Sequence, residues 1–166
     1  TITGTNTASL AGGVTLGAAN STISGNGTFT LSGVIDDAAS TFGFSKSGSG
    51  TLILSSANTY DGTTSLSNGT LSVGHNTALG TGTLAFNTGT LQANSAGINV
   101  GNAVTLGASA TVSGTNDFTL SGIISGANGF AKAGTSVLTL AGNNDYTGVT
   151  AISAGTVSVT HANGLG

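Results

Sequence analysis

The sequence predicts an all-β protein, a right-handed single-stranded parallel β-helix (solenoid) of about eight coils of roughly 20 residues, and three observations predict it. A long unit occurs twice with its internal register kept. Within each unit, short Thr/Ser runs alternate with aliphatic residues and end in Gly or Asn-Gly. Equivalent runs return every 19 to 23 residues, a spacing that suits one turn of a coil.

The long unit is read directly from the residues. Phe44 to Gly80, FSKSGSGTLILSSANTYDGTTSLSNGTLSVGHNTALG, recurs 86 residues later as Phe130 to Gly166, FAKAGTSVLTLAGNNDYTGVTAISAGTVSVTHANGLG, with 17 of 37 positions identical and no gap. Upstream, Val14 to Ile35 reappears in shortened form as Val104 to Ile124. The expected organisation is one continuous β-helix over 1–166, made of two long repeats at about 14–80 and 104–166 joined by 81–103.

Comparing the copies shows which side chains face inward. Leu52 and Leu54 match Leu138 and Leu140, whereas the intervening Ile53 becomes Thr139. A position that tolerates a change of polarity faces water, and one that stays aliphatic faces the core, which is the period of two expected of strands with one buried face. Phe29 and Leu31 match Phe118 and Leu120 in the same way, with Thr30 and Thr119 between them.

Spacing then sets the coil. Leu52 to Leu71 and Leu138 to Val157 are each 19 residues, and Leu71 to Leu91 is 20. That is too short for a strand-helix-strand unit, which needs about 30 residues. Strands must therefore pair with their equivalents one coil later, at about 4.8 Å per coil, giving a body roughly 40 Å long. Gly and Asn are expected at the corners, as at Asn26-Gly27, Asn68-Gly69, Asn128-Gly129 and Asn163-Gly164, because tight turns call for positive φ. The absence of Pro suits strands whose every N–H is needed by a neighbour.

Composition narrows the function. The chain has 29 Gly, no Cys, 37% hydrophobic residues, a net charge of −3, and Lys46 and Lys132 as its only Lys or Arg. Nucleic acid is excluded as a partner because phosphate binding relies on clustered cations. Apolar residues are too regularly placed for disorder. No apolar run is long enough to span a membrane as a helix and no basic segment precedes an apolar one, so an exported protein is expected to contribute an internal piece here.

Gly48 to Gly74, GSGTLILSSANTYDGTTSLSNGTLSVG, resembles the autotransporter-associated β-strand repeat through Gly48, Gly50, Leu52, Leu54, Asn58, Tyr60, Gly62, Thr64, Leu66, Gly69 and Leu71. The second copy keeps Gly134, Leu138, Leu140, Asn144, Tyr146, Gly148, Thr150, Ile152 and Gly155, with Ser136 and Val157 replacing Gly50 and Leu71. This resemblance implies a secreted or surface-displayed autotransporter passenger, exported through the Sec system and then across the outer membrane by a C-terminal translocator barrel. It implies a stalk that promotes its own secretion by folding outside the cell, with an adhesive role for an unidentified receptor. The motif residues are then structural, and no cofactor or metal is expected.

Residues that carry chemistry are few. Asp36, Asp37, Asp61, Asp117 and Asp145 are the only carboxylates, and Asp36 and Asp37, being adjacent, point to opposite sides of a strand. Glycoside hydrolysis needs a facing pair, so solvated turns are the better reading. His75 and His161 recur at equivalent places but about four coils apart, too far to share a metal, and read as corner residues. Tyr60 and Tyr146 are expected to plug a corner with the hydroxyl near water. Sequons at Asn20, Asn26 and Asn68 are expected by chance in this composition. Two rival functions remain: an ice-binding face of Thr-x-Thr ranks, as at Thr1/Thr3, Thr28/Thr30, Thr81/Thr83 and Thr88/Thr90, though at irregular intervals, and a polysaccharide-processing β-helix enzyme. Open solenoid ends predict end-to-end self-association.

Overall fold

A computed structural model describes residues 1–19 and 21–166; the sequon asparagine Asn20 lies outside the described residues. The described residues contain strands and turns and no helix. Every strand pairing is parallel, and each joins a strand to its equivalent one coil away. The chain is therefore a parallel β-solenoid of about eight coils, as its spacing predicts.

Three faces make up each coil. The first carries Ile2–Gly4, Ser21–Gly25, Phe44–Lys46 and Thr64–Leu66, the beginnings of Leu84–Ala93 and Val104–Ser113, and Ile124–Ser125. The second carries Ala8–Leu10, Thr28–Leu31, Thr51–Leu54 and Thr70–Val73, the ends of the same two long strands, then Phe130–Lys132 and Thr150–Ile152. The third face pairs Val14–Thr15 with Ile35–Asp36, and further along Ile98–Val100, Phe118–Leu120, Val137–Leu140 and Thr156–Val159.

Register explains the alternation seen in sequence. Leu52, Leu71, Leu91 and Val112 are Cα partners in succession, so one inward position stays aliphatic for four coils. Leu31, Leu52, Leu54, Leu71, Leu91, Leu138 and Leu140 all belong to one buried cluster that runs the length of the body. Each such leucine contributes about 1.5–3 kcal/mol by leaving water.

The pairing also refines the relation between the two copies. Four coils from Phe44, through Thr64, Leu84 and Val104, lead to Ile124, and Phe130 lies beyond it on the second face, paired with Ala110. A shift of 86 residues is thus four coils and one further face, not four coils alone. The second copy is turned by one face about the axis, and Thr51 aligns with Ala131 through Thr70, Thr90 and Thr111, not with its sequence counterpart Val137.

Both lysines occupy inward positions. Lys46 stacks between Ile23 and Leu66, Lys132 between Val112 and Ile152, and they are only 3% and 0% exposed. The charge pattern of the sequence did not reveal this; the retention of both lysines at a shift of 86, two residues after Phe44 and Phe130, is the signal that marks them as inward.

The corners differ from expectation in one respect. None of the four corner asparagines has positive φ, and among the Asn-Gly glycines only Gly69 does, at 69°. Space decides the others: a β-carbon on Gly129 would overlap the carbonyl of Val149 in the next coil. Glycine serves there because successive corners lie in backbone contact.

Burial of both lysines gives a direct test. In native buffer, trypsin should leave the chain intact and an amine-acylating reagent should modify only the N-terminal amine. After denaturation, cleavage should follow Lys46 and Lys132 and all three amines should react, as read by mass spectrometry.

Candidate functional site

The repeated motif forms the same cluster twice, and Asn58 and Asn144 are its centre. After strand Thr51–Leu54 the chain turns a corner, and the buried Asn58 amide points between coils. Its Oδ1 accepts from Ile35 N–H of the preceding coil at 2.8 Å, and its Nδ2 donates to the Ala78 carbonyl of the following coil at 2.6 Å. Asn144 accepts from Ile124 N–H and donates to the Gly164 carbonyl, each at 2.8 Å. One side chain therefore ties three coils, at a corner where strand pairing does not continue to serve those main-chain groups.

The tyrosines depart from the expected placement. Tyr60 is 0% exposed, and its hydroxyl lies 2.6 Å from Thr64 Oγ1, while Tyr146 makes the same contact with Thr150 Oγ1 at 2.6 Å. The hydroxyl is inside because the motif supplies its own partner four residues on. Tyr60 meets Phe44 edge-to-face with centroids 5.6 Å apart, and Tyr146 meets Phe130 at 5.8 Å. Burial raises the Tyr60 phenol well above its ordinary range. Gly62 and Gly148 lie where a β-carbon would strike the backbone of the adjoining corner, at Gly43 and Gly129.

The remaining motif residues complete this cluster. Leu52, Leu54, Leu138 and Leu140 are buried in the aliphatic columns. Gly48 and Gly134 turn their corners at φ of 78° and 69°, as do Gly69 and Gly155 at 69° and 72°. Lys46 Nζ donates to the carbonyls of Ser47, Gly48 and Asn68 at 3.0, 2.9 and 3.1 Å, and Lys132 Nζ to those of Ala133, Gly134 and Ala154 at 2.6, 3.0 and 3.4 Å. Burial lowers both lysine pKa values, and three carbonyl acceptors match the three donors of an ammonium.

Other candidates have structural explanations. His75 is exposed, and its Nδ1 accepts from Thr77 N–H at 3.2 Å; His161 Nδ1 accepts from Asn163 N–H at 3.1 Å. Each imidazole caps its own tight turn. Asp37 is 6% exposed instead of solvated, because its Oδ2 accepts from the main-chain N–H of Phe42 at 3.2 Å and of Asp61 at 3.3 Å. Desolvation first, and then the hydrogen bond and charge of Asp37, raise the Asp61 carboxyl. The fold thus brings Asp37 beside Asp61 from one coil to the next, a pairing that sequence distance concealed, and spends the Asp37 carboxylate on anchoring a loop. Threonines stack more regularly than their sequence intervals suggest: Thr28, Thr51, Thr70, Thr90 and Thr111 form one rank on the second face. The adjoining rank is mixed, with Thr30, Ile53, Ser72 and Gln92.

Comparison with known proteins agrees with this geometry. The passenger-associated-transport-repeat family matches residues 44–73 and 130–159, the two copies of the cluster. A relative of this chain, the adhesin BmaC autotransporter of Brucella suis biovar 1 (strain 1330), is 35% identical over 180 aligned residues that cover 96% of the chain. The chain carries two copies of the passenger-associated-transport repeat. It spans about 5% of the length of that adhesin. No solved structure matches it. In these passenger repeats the family match begins at Phe44 and Phe130, the aromatic partners of the two tyrosines, and so covers the lysines, the asparagines and the tyrosines together.

Two measurements test the cluster. Asn58→Ala removes partners from one buried N–H and one buried carbonyl, at about 1–3 kcal/mol each, so it should destabilise the chain by about 2–6 kcal/mol in urea unfolding, whereas Thr59→Ala should stay within about 0.5 kcal/mol. A raised phenol pKa favours the neutral group in the folded state. Its stabilisation is present below the unfolded tyrosine value of about 10 and is lost as pH climbs from there toward the folded value. Alkaline absorbance titration should show Tyr60, isolated in a Tyr146→Phe variant, resisting ionisation until the chain unfolds.

Proposed function

We propose that this chain is a shaft segment of an autotransporter passenger at the bacterial surface, and that its two repeats promote export by closing coils as they emerge outside the cell. The observation that carries this reading is the placement of the identical residues. Of the 17 positions shared by the two copies, all in the first copy except Ser67 and His75 are buried or half-buried, and those at its centre join one coil to the next. A repeat retained for ligand binding would keep outward side chains instead. Here the outward neighbours of Tyr60 are Thr59 and Asp61, and those of Tyr146 are Asp145 and Thr147.

Stacking gives such a shaft its driving force. Each coil that docks buries its aliphatic columns against the last, so folding outside the cell opposes retreat of the chain without ATP. The partner implied is a C-terminal translocator barrel, together with the adjoining coils of the longer passenger. Adhesion, named for the Brucella relative, is proposed here for the longer protein, with this segment holding the adhesive part away from the membrane. We assign the segment no enzymatic role: where Asp37 and Asp61 meet across coils, the Asp37 carboxylate anchors a loop. Among the described residues the threonine rank on the second face adjoins a mixed one, Thr30, Ile53, Ser72 and Gln92, so the ice-binding alternative lacks a two-dimensional array there.

Export supplies the functional test. Placed ahead of a translocator barrel, the Asn58→Ala/Asn144→Ala variant should reach the surface several-fold less than the parent chain, and Thr59→Ala/Asp145→Ala should match the parent. Equal display of both variants would refute a folding role for the repeat. The final coil leaves Ile152, Val159 and Leu165 exposed, which predicts end-to-end association of the isolated chain. Light scattering should show mass rising with concentration, and Ile152→Lys should suppress it.

A further inference from the structure

We propose that the two corners closed by Lys46 and Lys132 are main-chain sites for a monovalent alkylammonium cation, which the chain fills with its own side chains. Each site is made of three carbonyl oxygens, two from the residues directly after the lysine and one from the next coil: Ser47, Gly48 and Asn68 around Lys46, and Ala133, Gly134 and Ala154 around Lys132. An ammonium offers three donors and no acceptor, which is the complement of such a triad. Hydrogen bonds from a charged donor are also stronger than neutral ones.

Surrounding packing does not account for the lysines. The two copies sit on different faces, with Ile23 and Leu66 stacked about Lys46 and Val112 and Ile152 about Lys132, yet both triads are the same. The position itself accepts apolar side chains, since Leu66, Phe86 and Leu106 follow Lys46 in register. In the coil after Lys46, where leucine stands at the equivalent place, the Ser67 carbonyl is met at 2.5 Å by the Thr88 hydroxyl. A donor thus meets that corner carbonyl too, and in the repeat lysine is the donor. Glycine walls the site: a β-carbon on Gly69 would lie 2.7 Å from Lys46 Nζ, and one on Gly155 2.6 Å from Lys132 Nζ.

The test uses this chain and three lysine states. Lys46→Met keeps length and bulk but no donor, and should lower the melting temperature by about 4–8 °C, since two or more carbonyls lose their partner. Lys46→Ala should melt lower still and should regain part of the loss in propylammonium chloride, but not in sodium chloride of equal ionic strength nor in 1-propanol. A Lys46→Met chain as stable as the parent, or a Lys46→Ala chain indifferent to propylammonium, overturns the proposal. Should Lys46→Ala fail to fold, the parent chain decides: with 15N-labelled lysine, NMR should show two ammonium signals that persist at neutral pH through slow exchange. Exchange as fast as that of a surface lysine overturns it.

Discussion

Backbone contact between coils is the constraint on which everything else rests. A parallel solenoid stacks its coils at about 4.8 Å, so every N–H and C=O along a face is met by the coil above or below. At corners the chain changes direction, and although many coil-to-coil main-chain bonds continue there, groups such as Ile35 N–H and the Ala78 carbonyl are left to side chains. Each main-chain group left unmet and buried there costs about 1–3 kcal/mol, more than the roughly 0.5–1.5 kcal/mol that a formed hydrogen bond gains. The fold answers with side chains that reach along the axis, and the described residues leave no buried side-chain polar atom without a partner.

Asparagine and lysine answer in complementary ways. Asn58 offers one acceptor and one donor and so serves an N–H of one neighbour and a carbonyl of the other. Lys46 offers donors alone and gathers carbonyls. Because both act between coils, the repeat is a clamp spanning three turns, placed once in every four coils and a face. Rotation of the second clamp by one face means that its counterpart residues do not share a surface with the first. The outward faces between them carry small polar residues such as Ser45, Ser65, Thr119 and Thr139, which leaves a solenoid with few charges on its surface.

Much of this architecture is legible in the residues, for a physical reason. Strand faces obey a period of two, and comparison of Leu52-Ile53-Leu54 with Leu138-Thr139-Leu140 separates inside from outside without any structure. Coil length follows from the same comparison. Corners follow no such period, and there the reading changes. Asparagine suggests positive φ by its general habit, but these asparagines act through their amides or sit beside glycines chosen for space. Tyrosine suggests a hydroxyl at the surface, yet Thr64 and Thr150, four residues on, take it inside. Lysine suggests water, and only its identical position in both copies argues otherwise. Asp37 meets Asp61 across 24 residues because one coil intervenes, which sequence adjacency cannot express.

The most direct measurement is the distance between spin labels at Thr51 and Ala131. In-register stacking through Thr70, Thr90 and Thr111 sets these positions four coils apart on one face, so their backbones should be separated by about 19 Å with a narrow distribution, and labels at Thr51 and Val137 should lie farther apart. A broad distribution for the first pair, or a shorter distance for the second, would contradict stacked coils with the repeats turned by one face.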